Sequence, residues 1–453
     1  MNGRPYSRKK IAIVGTGISG MSAAWLLAPD HDITVYEQAG RIGGHSNTVT
    51  VDTKDGPIPV DTGFIVYNEK TYPNLTAMLA HLGVATSATE MSFSASLHGG
   101  EVEYSGENIA GLFAQRRNLF RPRFWSMLYD LQRFYRQAPR DLKRLAMGEV
   151  SLGEYLESGS YGSAFRDDHL LPLAAAIWSA PASRILDYPA ASFIRFQANH
   201  GLLNLINRPV WRTVKGGSRA YVSRLTQPFA DRIRRNAAVT GVLRKTKGVE
   251  VRDATGANEH FDDVIFATHA DQALALIDNP SPEERDVLSA FRYSSNVAYL
   301  HSDPTLMPRR RNVWASWNYL DLGLTNEPDC LTVTYWMNRL QHIDPAYPLF
   351  VTLNPARPPA SDKQITKEIY EHPTFDAKAI AAQSRVWSLQ GRANTWFCGA
   401  YMGAGFHEDG LQAGLAVAEA LGGVRRPWQV QNESGRIAIT PQSEPALFTD
   451  LAA

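Results

Sequence analysis

Residues 9–48 read "KKIAIVGTGISGMSAAWLLAPDHDITVYEQAGRIGGHSNT". Ile11 to Val14 is an apolar run with lysines before it and a glycine after it, which predicts a short buried strand. Gly15, Gly17 and Gly20 follow in GxGxxG spacing. The first suits a tight turn, the second lets backbone approach a pyrophosphate, and the third lets a helix pack closely on the strand. A helix over 18–28 is expected next, its N-terminal amides and dipole favouring anionic phosphates. A second strand over 33–36 ends at Glu37, an acid placed to accept hydrogen bonds from a ribose 2′-hydroxyl. No arginine that would select a 2′-phosphate stands just after it. A lone GxGxxG arises by chance in glycine-rich turns. Here strand, glycines, helix, strand and acid fall in order, and the ligand expected is an ADP-containing dinucleotide.

The 453 residues exceed what one core usually holds, so two domains are expected. Hydrophobic residues make up 44% and charged residues 20%, which excludes a disordered chain or a membrane-embedded one. A net charge of +1 points to no polyanionic partner for the chain as a whole. Cys330 and Cys398 build no disulfide framework, and neither belongs to a CxxC pair. The twelve histidines show no HxxxH or HExxH spacing, so no metal is expected. "MNGRPYSRKK" leads into the first strand without a signal-peptide apolar region. No stretch reaches the ~18 apolar residues of a membrane span. A reducing, cytoplasmic setting is therefore expected.

The double glycine in "RIGGHSNT", Arg41 to Thr48, resembles an extension found in flavoproteins of the amine-oxidase and phytoene-desaturase superfamily. The resemblance implies FAD rather than NAD, with backbone at Gly43 and Gly44 close to the flavin and its phosphates. "MGAGFHEDG" lacks the spacing of a second nucleotide unit, so no nicotinamide site is expected. The family implies an α/β fold with a discontinuous Rossmann-like FAD-binding domain, residues 1–90, 205–270 and 385–428. A mixed α+β substrate domain would comprise 91–204 and 271–384, with 429–453 a tail either loosely ordered or docked on the surface. "NAAVTGVLRKTKGVEVRDATGANEHFDDVIFATHA" alternates between turns like a β-meander and ends in a strand over 264–267. The resemblance puts Val239 beside the adenine. "TVKGGSRAYVSRL" resembles the glycine pair that opens a helix before that meander. A last strand over 396–398, Gly399, and a helix over 410–421 resemble the family's final unit, whose helix points its N-terminus at the flavin. Gly399 and Gly410 thus fall on the cofactor side. Glu408 and Asp409 are expected to cap that helix, Glu408 being a cap or flavin contact rather than a base. Ala400 stands where the family often has an acid.

"GGHSNTV", "DTGFIVYNEKTYPNL", "YWMNRLQ", "VTLNP" and "WFCGAYMGAGFHEDGLQAG" together resemble the flavoprotein half of plant cyclopropane fatty acid synthases. The similarity runs from about Ile11 to Leu421. It implies an FAD-dependent oxidoreductase acting on lipid acyl chains, with desaturation of a methylated or otherwise modified unsaturated chain as the reaction. A methyltransferase would be its pathway neighbour. The alternative is a flavin amine oxidase. Many of those enzymes carry a lysine holding a water near the flavin, and "RYSSNVAYLHSDPTLMP" puts Ser295 or Asn296 at that place. A non-catalytic flavin scaffold is a third reading.

Two readings stand for each candidate site residue. His45 is a proton-transfer group at the redox site, or it hydrogen-bonds phosphates or backbone. His407 caps the last helix or faces substrate. Tyr67 and Asn68 follow Asp61 and Gly63 in the segment resembling the flavin face, and Tyr67 is a substrate contact or plain wall. Trp178, Asn199 and His200 in "IWSAP" and "FQANHGLL" are substrate-side or packing residues, as are Trp317, Asn318, Tyr335 and Asn338. Residues 115–144 hold nine Arg/Lys against Asp130 and Asp141, with Phe124, Leu128, Leu131, Tyr135 and Ala138 at helical spacing. Such a helix has a solvated basic face or lies on anionic lipid at the inner face of the membrane. No nucleic-acid partner is expected.

Overall fold

The computed structural model describes residues 8–145, 150–178, 185–199, 201–204, 209–322 and 332–439. The strand Lys10–Val14 is the centre of a five-stranded sheet ordered Ile233–Arg234, Asp32–Tyr36, Lys10–Val14, Asp263–Phe266, Thr395–Phe397. Every pairing is parallel, with Ile13 opposite Val35 on one side and Ile265 on the other. A parallel sheet covered on both faces needs apolar residues on both, and Ile11, Ala12, Ile13 and Ile265 are all sealed from solvent.

The helix Ile18–Leu27 follows the glycine turn. A Cβ at Gly20 would stand 2.0 Å from the Gly15 carbonyl oxygen, so only glycine lets this helix lie so close to its strand. The last helix, His407–Leu421, crosses the first. A Cβ on Gly414 would be 2.2 Å from Ser19 O, and one on Gly410 would be 2.9 Å from Ile18 Cγ2 and Ser19 Oγ. Its glycines serve a helix–helix crossing. Gly410 therefore touches the first helix, a correction to its expected place beside a cofactor. The helix also begins three residues early, because the Asp409 carboxylate accepts from Phe406 N at 2.7 Å and so caps it.

Three antiparallel strands, Val239–Arg244, Val249–Asp253 and Asn258–Phe261, form the meander. The helices Ala270–Leu276, Pro282–Leu288 and Ala377–Val386 pack Ala273, Val287 and Val386 into the parallel sheet's core, although 271 and 384 were expected to bound the other domain. A seven-stranded mixed sheet carries the second core, in the order Gln364–Thr374, Arg292–His301, Phe350–Leu353, Thr332–Trp336, Trp317–Leu320, Phe93–Leu97, Val102–Ser105. Phe134, Phe165 and Phe193 from neighbouring helices are buried with it.

The basic segment forms a short 3-10 turn, Arg116–Phe120, and the helix Pro122–Leu145. Phe124 and Ala138 are buried, and Leu128, Leu131 and Tyr135 half-buried, so the expected apolar stripe faces the protein body. Residues 428–439 are docked: Trp428 stacks on Trp25 with ring centroids 5.8 Å apart, and Arg436 Nε donates to Asp409 Oδ1 at 2.6 Å. Among the described residues no helix is long and apolar enough to cross a membrane.

Candidate active site

A cavity of about 650 Å³ opens at the C-terminal ends of the parallel strands, lined there by Val14, Tyr36, Ala267 and Gly399. This is where sheets of this kind hold ligands, because the strand ends and helix N-termini converge on it. Glu37 is fixed at one end. Thr16 N–H donates to its Oε2 at 3.1 Å, the Thr16 hydroxyl donates to the same oxygen, and Ala39 N–H donates to Oε1 at 2.9 Å. Gly43 N–H donates to Thr16 O at 3.1 Å, which ties the double-glycine loop to the first loop. Gly44 has φ +57°, and a Cβ there would stand 3.0 Å from Gly17 Cα. The two glycine loops thus make one backbone cradle.

Four histidines line the same cavity: His45, His269, His372 and His407. The His45 ring lies 5.3 Å from that of His372 and 5.1 Å from that of Tyr370. Burial holds the His45 pKa well below its ordinary value, and His372, His269, His407 and Arg41 add to this. Burial also pushes His372 down to about 4, helped by His269, and His407 down to about 3. His45, His372 and His407 are therefore neutral at pH 7. His269 is lowered by burial too, opposed by Glu371, whose Oε2 is 3.3 Å from its Nδ1.

The tautomer of His372 follows from a chain of hydrogen bonds. Val297 N–H donates to Asn354 Oδ1 at 2.8 Å, and Asn354 Nδ2 donates to Asn296 Oδ1 at 2.7 Å. Asn296 Nδ2 is then the donor to His372 Nδ1 at 3.0 Å. The first donor is backbone, so each amide is oriented by the bond before it. His372 consequently carries its proton on Nε2. Asn296 itself stands behind His372 and does not line the cavity. His407 is held differently: its ring stacks on Phe64 at 3.9 Å and its Nε2 bonds Tyr221 OH at 2.7 Å.

Gly15, Gly17, Glu37, Gly43, Gly44, Val239 and Gly399 all border this space, as do His45, His407, Trp317 and Tyr335. The last two oppose each other across neighbouring strands, their rings 5.1 Å apart and nearly perpendicular. Other expected residues are engaged elsewhere. Tyr67 is buried in the first core against Tyr72, and Asn68 Oδ1 accepts from Thr71 N at 2.9 Å; neither lines the cavity. Their short strand pairs with Trp211–Val214, which places both beyond the flavin-facing segment. Glu408 caps a different helix from the one expected. It accepts from Asn74 N at 3.0 Å and Leu75 N at 2.9 Å, at the start of the helix Pro73–His81. It is no cofactor contact. Asn318 and Asn338 bond backbone groups inside the second domain. The Trp178 side chain, the Asn199 side chain and all of His200 lie outside the described residues.

Sequence reasoning missed His269, Tyr370 and His372. His269 follows a parallel strand at its C-terminal end, which is a legible signal. Tyr370 and His372 are two apart on the strand Gln364–Thr374 and so share a face. Which face meets the cavity depends on the sheet. No group of three or more His, Cys, Asp or Glu among the described residues is arranged to hold a metal.

The residues present suit FAD. A Cβ on Gly17, at the N-terminus of the first helix, would meet nothing within 4 Å, so backbone is exposed to the cavity where a pyrophosphate needs it. Three buried polar atoms of cavity-lining residues, His45 Nε2, Trp317 Nε1 and Tyr401 OH, have no protein partner. Buried polar groups normally find partners, and a polar ring system in the cavity offers them.

Comparison with known proteins agrees with this geometry. Residues 18–309 match the flavin containing amine oxidoreductase family. Over 318 residues the chain is 27% identical to a coproporphyrinogen III oxidase of Mycobacterium leprae (strain TN), covering 63% of this chain and 65% of that protein. The chain thus spans just under two thirds of the length of that curated relative. A CLA-producing fatty acid isomerase from P. acnes superposes with a TM-score of 0.63 at 17% identity, covering 91% of this chain and 98% of that one. A putrescine oxidase with redesigned cofactor binding gives a TM-score of 0.63 at 16% identity, with 91% and 98% covered. The strand ends, the paired glycine loops and the fixed Glu37 thus have their place in a known design: the chain belongs to the flavin containing amine oxidoreductase family.

Proposed function

We propose that the enzyme desaturates a methylated or otherwise modified unsaturated acyl chain of a lipid. The observation that carries this reading is the character of the cavity beyond the flavin cradle. Ile65, Met91, Ile177, Phe196, Leu202 and Trp211 line it, and no Lys or Arg among the described residues does. A porphyrinogen bears carboxylates that would need cations, and none is offered. A cationic amine would need a carboxylate, yet among the described residues the lining acids are Glu37, held at the nucleotide end, and Glu371, beside His269. An acyl chain needs neither, and burying each of its methylenes contributes about 0.8 kcal/mol.

FAD bound here would supply the acceptor for the hydride lost from one carbon. The proton leaves the neighbouring carbon, and a C=C bond forms between the two. His45 is the proton acceptor on this reading, since it is neutral, buried and borders the cavity. His372 presents an Nε2 hydrogen instead and orients what lies before it. The narrower resemblance to the flavoprotein half of plant cyclopropane fatty acid synthases supports the same substrate class, with a methyltransferase as the step before. The setting is the cytoplasm, at a membrane surface.

The test is anaerobic mixing of the holoenzyme with phospholipid carrying methylated unsaturated chains. The visible flavin absorption should bleach, and mass spectrometry should show a product lighter by two hydrogens. Bleaching by putrescine or cyclohexylamine, with none by the lipid, would move the assignment to an amine oxidase, the reading favoured by the Trp317–Tyr335 pair as a cation-holding wall.

A further inference from the structure

The half-buried stripe of the helix Pro122–Leu145 faces inward, and a second set of side chains faces out. Phe120 is 85% exposed, Tyr129 69% and Trp125 50%, with Ile109 at 78% on the preceding turn. Large apolar side chains so exposed and so close in sequence are unusual on a soluble surface. Trp125 Nε1 donates to Leu119 O at 2.9 Å and its ring packs on Phe113 at 5.6 Å, so the turn that carries Leu119 and Phe120 is braced against the helix.

Positive charge continues the same face. At ~100° per residue, Trp125, Tyr129, Arg136, Arg140 and Lys143 fall within about 60° of one azimuth along a helix ~36 Å long. Arg136, Arg140 and Lys143 are exposed and have no carboxylate partner among the described residues. Four other cations of the segment are held by partners. Arg123 pairs with the buried Asp168 at 2.7 Å, Arg133 with Asp130 at 2.8 Å, and Arg117 and Arg121 donate to Glu101 O. Of the two acids in the segment, Asp130 is buried and Asp141 is half-buried against Arg144 and Tyr155.

We propose that this face docks on an anionic lipid bilayer, with Phe120, Trp125 and Tyr129 entering the interface and Arg136, Arg140 and Lys143 on the headgroups. Charge complementarity selects that occupant. A second copy would meet like charge with like, and a neutral apolar partner would leave three cations unpaired. Aromatic rings are the side chains best suited to the headgroup level, and cations there each add attraction to anionic lipid. The helix rests by Phe134 and Ala138 in the second core, beside the helix Ala190–Asn199 that carries the cavity-lining Phe196. Docking therefore sets the substrate half against the membrane. This deepens the acyl-chain reading and names the surface through which such a substrate would be met.

The experiment is co-sedimentation of the holoenzyme with vesicles of phosphatidylcholine alone or with phosphatidylglycerol added, at low and high salt. Wild type should bind the anionic vesicles and be released by salt. The triple variant Arg136→Gln, Arg140→Gln, Lys143→Gln should bind about fivefold more weakly for each cation removed. The pair Phe120→Ser, Tyr129→Ser should lose binding even at low salt, with Trp125 kept because it braces the turn. Both variants should keep their full FAD content, since neither set touches the cavity. Binding unchanged by both variants and by salt would overturn the proposal, as would loss of binding to vesicles but retention on a single-stranded oligonucleotide. Vesicle binding without flavin bleaching by lipid would leave the docking surface standing and remove the acyl-chain reading instead.

Discussion

At Gly17 and Gly20 the same added methyl group has opposite consequences. A Cβ on Gly17 would point into open space at the cavity, and its φ of −63° is one alanine adopts freely. Gly17→Ala should therefore fold normally and lose FAD, measured as unchanged circular dichroism with at least tenfold less bound flavin. A Cβ on Gly20 would collide with backbone at 2.0 Å, so Gly20→Ala should lose ~3 kcal/mol of stability by overpacking. Denaturant titration of the two variants distinguishes them. The motif is thus one pattern in sequence and two kinds of constraint in space, one set by the ligand and one by helix packing.

Among the elements, the helix Pro73–His81 owes its start to a residue more than three hundred positions away. Its N-cap, Tyr72, makes no side-chain cap, and Glu408 takes that role from the last helix. Burial raises the Glu408 pKa, while Gln412, Asn74 and Leu75 donate to the carboxylate and oppose the shift. Glu408→Ala should cost about 2 kcal/mol in urea denaturation, the range for losing a cap with its donors left buried. Its bound FAD should be retained, because Glu408 does not line the cavity. Loss of flavin from a variant of normal stability would return Glu408 to the cofactor.

For the whole molecule, burying neutral histidines makes stability depend on pH. The folded pKa of His372 is about 4 and that of His407 about 3, against 6.5 unfolded. Below pH 6.5 the unfolded chain gains protons that the folded chain does not, so stability is present above that value and is lost as pH falls toward 4 and 3. Between pH 7 and pH 5 this amounts to ~2 kcal/mol at His372 alone. Thermal melts of wild type and His372→Asn at the two pH values should show the variant losing less on acidification. Equal losses would mean that His372 takes up its proton as readily in the fold as in the unfolded chain.

The nucleotide half of the protein was legible because it is local. A strand, three glycines, a helix, a strand and Glu37 lie within thirty residues, and each is constrained by its neighbours in the chain. Gly43, Gly44 and His45 extend that run and reach the same cavity. Gly410 was read as facing a cofactor and Glu408 as a cap of its own helix or a flavin contact, and only the crossing of the first and last helices turns Glu408 onto another helix and Gly410 onto Ile18 and Ser19. His269 follows a strand of the parallel sheet and His372 lies in a strand of the mixed one, and no spacing in sequence records that both line one cavity. The apolar stripe at 124–138 was visible by its period, but periodicity marks a face without saying what it faces. The substrate half took that stripe, Leu131, Tyr135 and Ala138 into one cluster and Phe124 and Leu128 into a smaller one, because burial removes their apolar surface from water, and so left Phe120, Trp125 and Tyr129 outside.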